Sequence, residues 1–394
     1  MKKKIMVVTS TRADWGLLKP VAEKIEKSDK LSLCLVVTGT HLLSQFGNTV
    51  SEIEADGFSD YITADIFKFG FGEKESALTI GYTVTAFTQI ISRQKPDLVL
   101  VLGDRYEIFA VACRAAALSV PLAHISGGDV TLGAKDDFYR HCITKMSNLH
   151  FPSNPDSYRR VIQMGEDPAT VFKVGGLGNE NIKNAPLMSK EELEQNLEFS
   201  LQKPYALITY HPETRGGLDP VEGVHNLLRA LDKTDINLIF TASNADAYGD
   251  VINKEILHYC MKNPGRAVLY ASLGMKRYLS AMKYASLVLG NSSSGVVETP
   301  AFKVPTVNIG DRQRGRYIAK NVITTGTDTD SILAGIEMAL SEGFKEKCRQ
   351  AENPYDAGTP ASVGIVKGIE DYLSSPHNTA KKFYDINPQQ EEKI

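Results

Sequence analysis

The run Gly290-Asn291-Ser292-Ser293-Ser294-Gly295-Val296-Val297-Glu298 carries the most pointed chemistry in this chain. An apolar stretch precedes it and a helix-compatible one follows. Backbone N–H groups, the hydroxyls of Ser292 and Ser293 and the positive end of a helix would then converge on a phosphate. Glu298, one turn in, would repel phosphate but can accept from ribose hydroxyls. A plain serine-rich capped turn is the competing account. Downstream, Gly310-Asp311-Arg312-Gln313-Arg314-Gly315-Arg316 places three arginines in one loop, a clamp for a diphosphate or a carboxylate. Arg314 and Arg316 suit a solvated loop equally well. Near the start, Thr9-Ser10-Thr11-Arg12-Ala13-Asp14-Trp15-Gly16 sets small hydroxyls and Arg12 beside a helix start. That suits an anion, or else a capped helix with a surface arginine and Asp14 at the N-cap. It is not GxGxxG, so a dinucleotide is disfavoured.

A second group of residues suits proton transfer. Asp104, in Gly103-Asp104-Arg105-Tyr106-Glu107, follows an apolar run and would serve as a base or as an N-cap. His124-Ile125-Ser126-Gly127-Gly128-Asp129 follows another such run, and its paired glycines would let backbone approach a ligand closely. Asp136 and Arg140 are four apart and would pair on one helical face. Asp104, Asp129 and Asp136 at one cleft mouth would favour proton-transfer chemistry. His124 and His141 suit structural roles better. His211, directly after a strand-like run and before Pro212, is placed to bind phosphate or shuttle a proton.

These residues share a position, because each group follows a short run rich in Val, Ile and Leu. The runs in the first half are Lys4–Ser10, Leu31–Gly39, Asp97–Gly103, Pro121–Ser126 and Leu149–Ser153. In the second half they are Tyr205–His211, Asn237–Ser243, Ala267–Ser272, Ser286–Asn291 and Pro305–Gly310. Such runs read as strands buried on both faces. Between them lie helical patterns such as Leu17, Leu18, Val21, Ala22 and Ile25, and the segment Ile108–Leu118. Alternation of this kind implies parallel sheets with right-handed crossovers. The fold class is therefore α/β with two Rossmann-like domains, and ligands are expected beyond the carboxyl ends of the strands, in a cleft. The charged stretch within Asn184–Lys203 marks the boundary. The expected division is 1–184, 185–358, and a C-terminal helix and tail, 359–394, packing back on the first domain. The helix spans Thr359–Leu373, and the polar tail after Ser374 reads as loose.

Composition narrows the function classes. With 44 basic and 47 acidic residues, nothing resembles a nucleic-acid-binding face. No stretch approaches the ~18 apolar residues of a membrane span, and the apolar run after Lys2–Lys4 is too short for a signal core. Five cysteines without CxxC spacing point to a reducing, cytoplasmic setting and no metal site.

Taken together and in order, the motifs resemble those of hydrolysing UDP-N-acetylglucosamine 2-epimerases of the sialic-acid pathway. The carriers are Thr11–Asp14, Gly103–Glu107, His124–Asp129, Arg140–Lys145, His211–Thr214, Gly290–Gly295 and Gly310–Gly315. The resemblance implies a glycosyltransferase-B-like fold, a homodimer or homotetramer, and no cofactor. It implies loss of the C2 proton with anti elimination of UDP, then hydration of a 2-acetamidoglycal to the free manno-configured sugar. Carried over by position, Asp104 and Asp136 match acid/base residues, and His211 lies near the leaving diphosphate. Arg12, Asn244, Ser292, Ser293, Glu298 and Arg312 match UDP contacts, and Arg105 lines the cleft. The chain departs from relatives at Ser126, where some carry Glu and others His, at Asp129, where Glu is common, and at Gly16. Asp129 is the expected replacement for the group missing at Ser126. Enzymes of the legionaminic-acid branch share these motifs but act on UDP-2,4-diacetamido-2,4,6-trideoxyglucose. A non-hydrolysing epimerase, a glycosyltransferase and a non-catalytic UDP-sugar sensor are the alternatives on the same fold.

Overall fold

The computed structural model describes residues 2–70, 72–131, 135–212, 219–243, 249–374 and 381–386. The chain forms two units, Met1–Glu180 with Tyr355–Ile394, and Asn181–Pro354. Each is built on a six-stranded sheet whose strands pair in parallel.

The first sheet holds β1 (Lys3–Thr9), β2 (Leu31–Thr38), β3 (Tyr61–Ala64), β4 (Leu98–Leu102), β5 (Leu122–Ile125) and β6 (Leu149–Phe151). Their order is β3-β2-β1-β4-β5-β6. The second sheet holds β7 (Tyr205–Thr209), β8 (Asn237–Thr241), β9 (Ala267–Tyr270), β10 (Leu287–Gly290), β11 (Thr306–Ile309) and β12 (Val322–Thr325), ordered β12-β11-β10-β7-β8-β9. Read from β9, this repeats the first order. Each sheet therefore has a switch point, between β1 and β4 and between β7 and β10, where an open crevice forms past the strand ends.

Both faces of each sheet are covered. On β1, Ile5 and Val7 join Leu98, Leu100 and Leu18 on one side, while Met6 and Val8 join Val99, Val101 and Phe87 on the other. On β7, Ala206 and Ile208 face one layer, Tyr205 and Leu207 the other. This explains the unbroken apolar runs. Two strands escaped the sequence pattern, β3 and β12. Both are edge strands that are only partly buried, so Tyr61-Ile62-Thr63-Ala64 and Val322-Ile323-Thr324-Thr325 lack a continuous apolar signature.

Six helices matter below: α1 (Arg12–Lys27), α2 (Tyr106–Ala117), α3 (Lys135–Met146), α4 (Pro155–Gln163), α5 (Lys190–Leu197) and α6 (Ala361–Ser374). The N-cap of α1 is Thr11, not Asp14: its hydroxyl accepts from the Asp14 N–H at 3.2 Å. Asp14 sits on the third helical residue and turns back to Ser10. The charged stretch read as a boundary is α5, closed by a Ser189–Glu192 capping box and anchored by buried Leu193 and Leu197. The chain passes between units earlier, at Glu180/Asn181, and returns at Pro354/Tyr355. Helix α6 packs Ile365 and Ile369 into the cluster of Leu18 and Val21. Glu180 caps it, accepting from Ser362 N–H at 2.8 Å and Oγ at 2.6 Å. No helix among the described residues is long and apolar enough to cross a membrane.

Candidate active site

At the first switch point the chemistry is ionic. Arg140, on α3, is buried, and its guanidinium organises the loops after β4 and β5. It donates through Nε (3.0 Å) and Nη2 to Asp104 Oδ2, through Nη1 to Asp137 Oδ1 at 3.0 Å and to the Asp129 carbonyl at 2.8 Å, and through Nη2 to Thr131 Oγ1 at 3.2 Å. The expected Asp136–Arg140 pair is not formed. Arg140 points back toward the sheet, so Asp137, three residues away, meets it instead. Nor is Asp104 an N-cap, since Arg105 occupies that position on α2 without a side-chain capping bond. Two charge-assisted bonds converge on one oxygen, Oδ2, and anchor that side of the Asp104 carboxylate.

Asp136 lies exposed on the first turn of α3. Partial desolvation, then the neighbouring charge of Asp104, pushes its carboxyl above the usual range. Asp129 is engaged differently. Its Oδ1 accepts from Asn154 Nδ2 at 2.9 Å and from Ser157 Oγ, tying it to the start of α4. Ser126 adopts φ +64°, a left-handed conformation uncommon for a residue with a Cβ. The paired glycines next to it approach protein rather than an open space. A Cβ on Gly127 would lie 2.7 Å from Thr144 Oγ1, and one on Gly128 (φ +85°) 2.4 Å from the Ser157 carbonyl.

His124 and His41 are held by hydrogen bonds within this unit. His124 Nε2 donates to the Gly103 carbonyl at 2.8 Å, and burial lowers its pKa to about 3. His41, which the sequence did not single out, bridges Thr9 Oγ1 (3.0 Å) and Thr49 Oγ1 (2.8 Å), and burial lowers it to about 4. Past β1, Asp14 accepts from Ser10 Oγ at 2.7 Å, and burial raises its pKa against those bonds. Arg12 is exposed and pairs with Glu52 at 3.0 Å. Arg105 pairs through Nε with buried Glu107.

The second switch point is built from neutral polar groups. Buried Asn291, just past β10, accepts from the His211 N–H at 2.7 Å and donates to its carbonyl at 2.9 Å. Its own carbonyl accepts from Gln313 Nε2 at 2.8 Å and Arg312 Nη1 at 3.3 Å. One residue, through its side-chain amide and its backbone carbonyl, thus ties together the loops after β7, β10 and β11. His211 is buried, with Nδ1 3.1 Å from Ser243 Oγ. Gly290 makes the approach possible: at φ +134°, a Cβ there would fall 2.0 Å from the Thr209 carbonyl. Asn291 and Gln313 lay inside motifs quoted from the sequence but were not singled out, because nothing in spacing reveals a cross-loop amide.

The serine turn differs from the expected helix end. The helix after it, Ser294–Val297, is a single turn without a side-chain cap and breaks at Glu298. Hydroxyls and local N–H groups, rather than a long helix dipole, are what this turn can offer an anion. Ser292 and Ser293 are half-buried. Glu298 is partly covered, and burial raises its pKa to about 7. Arg312 is exposed, and Arg314 is 70% exposed with Asp311 at 3.7 Å, the solvated alternative. Asn244, Glu213 and Thr214 lie outside the described residues.

Comparisons place these motifs among known proteins. The profile of a family described as UDP-N-acetylglucosamine 2-epimerase matches residues 23–370. The GDP/UDP-N,N'-diacetylbacillosamine 2-epimerase (hydrolyzing) of Campylobacter jejuni is 41% identical over 346 residues, covering 88% of this chain and 89% of that protein. Polysialic acid biosynthesis protein P7 of Escherichia coli is 38% identical over 387 residues, covering 98% of each. The crystal structure of the Neisseria meningitidis UDP-GlcNAc 2-epimerase bound to UDP-GlcNAc superposes with a TM-score of 0.74 at 18% identity, covering 93% of this chain and 100% of that one.

Proposed function

Because the chain belongs to the UDP-N-acetylglucosamine 2-epimerase family, we propose that it is a hydrolysing 2-epimerase that converts UDP-GlcNAc to UDP and free N-acetylmannosamine. The observation that carries this reading is the environment of two carboxyls. Asp104 is held by the Arg140 fork, while Asp136, nearby, is pushed toward its neutral form. Paired acids kept apart in this way divide into a base and an acid. Asp104 takes the C2 proton of the sugar and Asp136 supplies a proton in the second step. UDP leaves in an anti elimination, and water adds to the 2-acetamidoglycal.

The acidity of C2–H is poor, so the base must be well placed, and Arg140 serves that placement. Negative charge builds on the departing diphosphate. Arg12, Arg105, Ser292, Ser293, Arg312, Asn244 and His211 are its proposed donors, with Glu298 on the ribose. The neutral amide lattice around Asn291 supports this, because it aims the His211 loop without placing a carboxylate against phosphate. Asp129, expected to replace the group absent at Ser126, has an oxygen engaged by Asn154 and Ser157. We assign it a positioning role instead.

A second reading is favoured by the Campylobacter relative, whose name specifies a diacetamido sugar nucleotide. The same chemistry would then act on UDP-2,4-diacetamido-2,4,6-trideoxyglucose. Supplying both nucleotide sugars in D2O and following the reaction by NMR tests both readings. UDP and a free 2-acetamido sugar deuterated at C2 are expected from the true substrate. UDP release without C2 deuteration, or only with an added acceptor, would replace the epimerase reading with hydrolysis or glycosyl transfer.

A further inference from the structure

Residues 381–386 belong to the segment whose polar composition suggests a loose tail, yet they are docked on the first unit. Lys381 Nζ pairs with Glu166 Oε2 at 2.6 Å and donates to the Lys145 carbonyl at 2.7 Å. Glu166 is 2% exposed and also receives Lys145 Nζ at 2.7 Å and His150 Nε2 at 2.9 Å. Hydrogen bonds and charge from His150 and the two lysines outweigh burial and hold its carboxyl at about 2. Phe383 lies over Gly165, where a Cβ would meet its ring at 2.4 Å, and Lys145 Nζ stands 4.9 Å from the ring centre. The Tyr384 N–H donates to the Gly165 carbonyl at 3.0 Å. Tyr384 and Ile386 cover Val161, Ile162 and Val171.

The places gripped are the far ends of two functional helices. Lys145 is in the last turn of α3, whose first turns carry Asp136, Asp137 and Arg140. Gly165 and Glu166 follow α4, whose start holds Asp129 through Asn154 and Ser157, and whose Arg160 donates to the Gly128 carbonyl. A helix moves largely as a rod, so an end left free lets the other end tilt. Arg140 has to hold the Asp104 carboxylate within a fraction of an ångström for it to work as a base. We propose that residues 381–386 are a positioning strap for the acid network, with Lys381 the positioning residue acting through Glu166 and the Lys145 carbonyl. This inference rests on the assignment of Asp104 and Asp136 to proton transfer.

The test compares Lys381→Met, Lys381→Arg and a chain ending at Ser374 with the parent. Turnover and KM are measured well below each variant's melting temperature, UDP affinity by calorimetry, and amide hydrogen exchange across Lys135–Met146. Lys381→Met and the shortened chain should lose about tenfold or more in kcat, keep the UDP Kd within about twofold, and exchange faster in α3. Lys381→Arg should recover most of the loss. A lower melting temperature with unchanged kcat and unchanged α3 exchange would make the strap a stabilising element only and overturn the proposal. An Asp104→Asn variant run alongside separates the two ideas. If it turns over normally, the acid/base reading fails, whereas the exchange data still report whether the strap holds α3.

Discussion

The two sheets share one strand order, yet their switch points are furnished in opposite ways. After β4 and β5, a buried guanidinium collects Asp104, Asp137 and a carbonyl. After β7 and β10, an uncharged amide collects an N–H and a carbonyl of His211. The difference follows from what each crevice can hold. A charge lattice suits the acids proposed to exchange protons, since charge-assisted bonds are short and directional. A neutral lattice leaves the field to an incoming anion and its exposed arginine. One topology therefore fixes where a site lies, and the side chains after the strands decide what it does.

Neutralising the base should break this contrast most sharply. Asp104→Asn keeps the size of the side chain and one oxygen for Arg140 but removes the basicity. Turnover is expected to fall by about 10²–10⁴-fold, with UDP affinity nearly unchanged. A loss of UDP binding equal to the loss of turnover, seen by calorimetry beside steady-state kinetics, would mean that Asp104 holds the nucleotide.

Next come the two organisers. Arg140→Met strands Asp104 and Asp137 without their partner and should cost up to about 3 kcal/mol, read by denaturant melts, together with most of the turnover. Asn291→Leu removes the amide that bonds the buried N–H and carbonyl of His211 and should cost about 2 kcal/mol, but its functional loss should appear in UDP affinity. If both variants damaged the same kinetic parameter, the division of labour between the switch points would be wrong. A smaller effect is expected at Arg312, which is exposed and whose bond to the Asn291 carbonyl is long, at 3.3 Å. Arg312→Ala should weaken UDP by about tenfold, the weight of one charge-assisted contact, and leave melting behaviour alone.

How much of this was legible beforehand depends on the residue. The central strands were, because Ile5–Val8 and Leu98–Leu102 are buried on both faces and must be apolar throughout. The edge strands β3 and β12 were not, since a half-exposed four-residue strand has no distinguishing period. The rule about strand ends singles out the loops where Asp104, His211 and the serine turn directly follow strands, and Asp136 opens the helix after the β5 loop. What Arg140 pairs with was not legible. Spacing offered Asp136 on the same helix, but tertiary packing aimed the guanidinium at Asp104, distant in sequence. The docked Lys381–Ile386 segment was hidden for a related reason, because its anchor is a buried Glu166 that sequence cannot distinguish from a surface acid.

The finest probe of the contrast is Glu298, a carboxyl beside the uncharged amide lattice. Burial raises its pKa from 4.5 to about 7, so between these values the folded chain binds a proton that the unfolded chain has released. Stability from this group therefore declines as pH rises from about 4.5 to about 7 and is flat above. The change is on the order of 1 kcal/mol once solvent screening at a partly covered group is allowed for. Glu298→Gln cannot titrate there, so its melting profile should be flatter, with the variant gaining on the parent toward pH 8. Ribose hydroxyls donating to the carboxylate would favour its charged form, so UDP binding near pH 7 should release a fraction of a proton. Calorimetry in buffers of different ionisation enthalpy reads that release directly. Equal proton release by parent and variant would place the ribose elsewhere and leave Glu298 as a partly covered acid with no part in recognition.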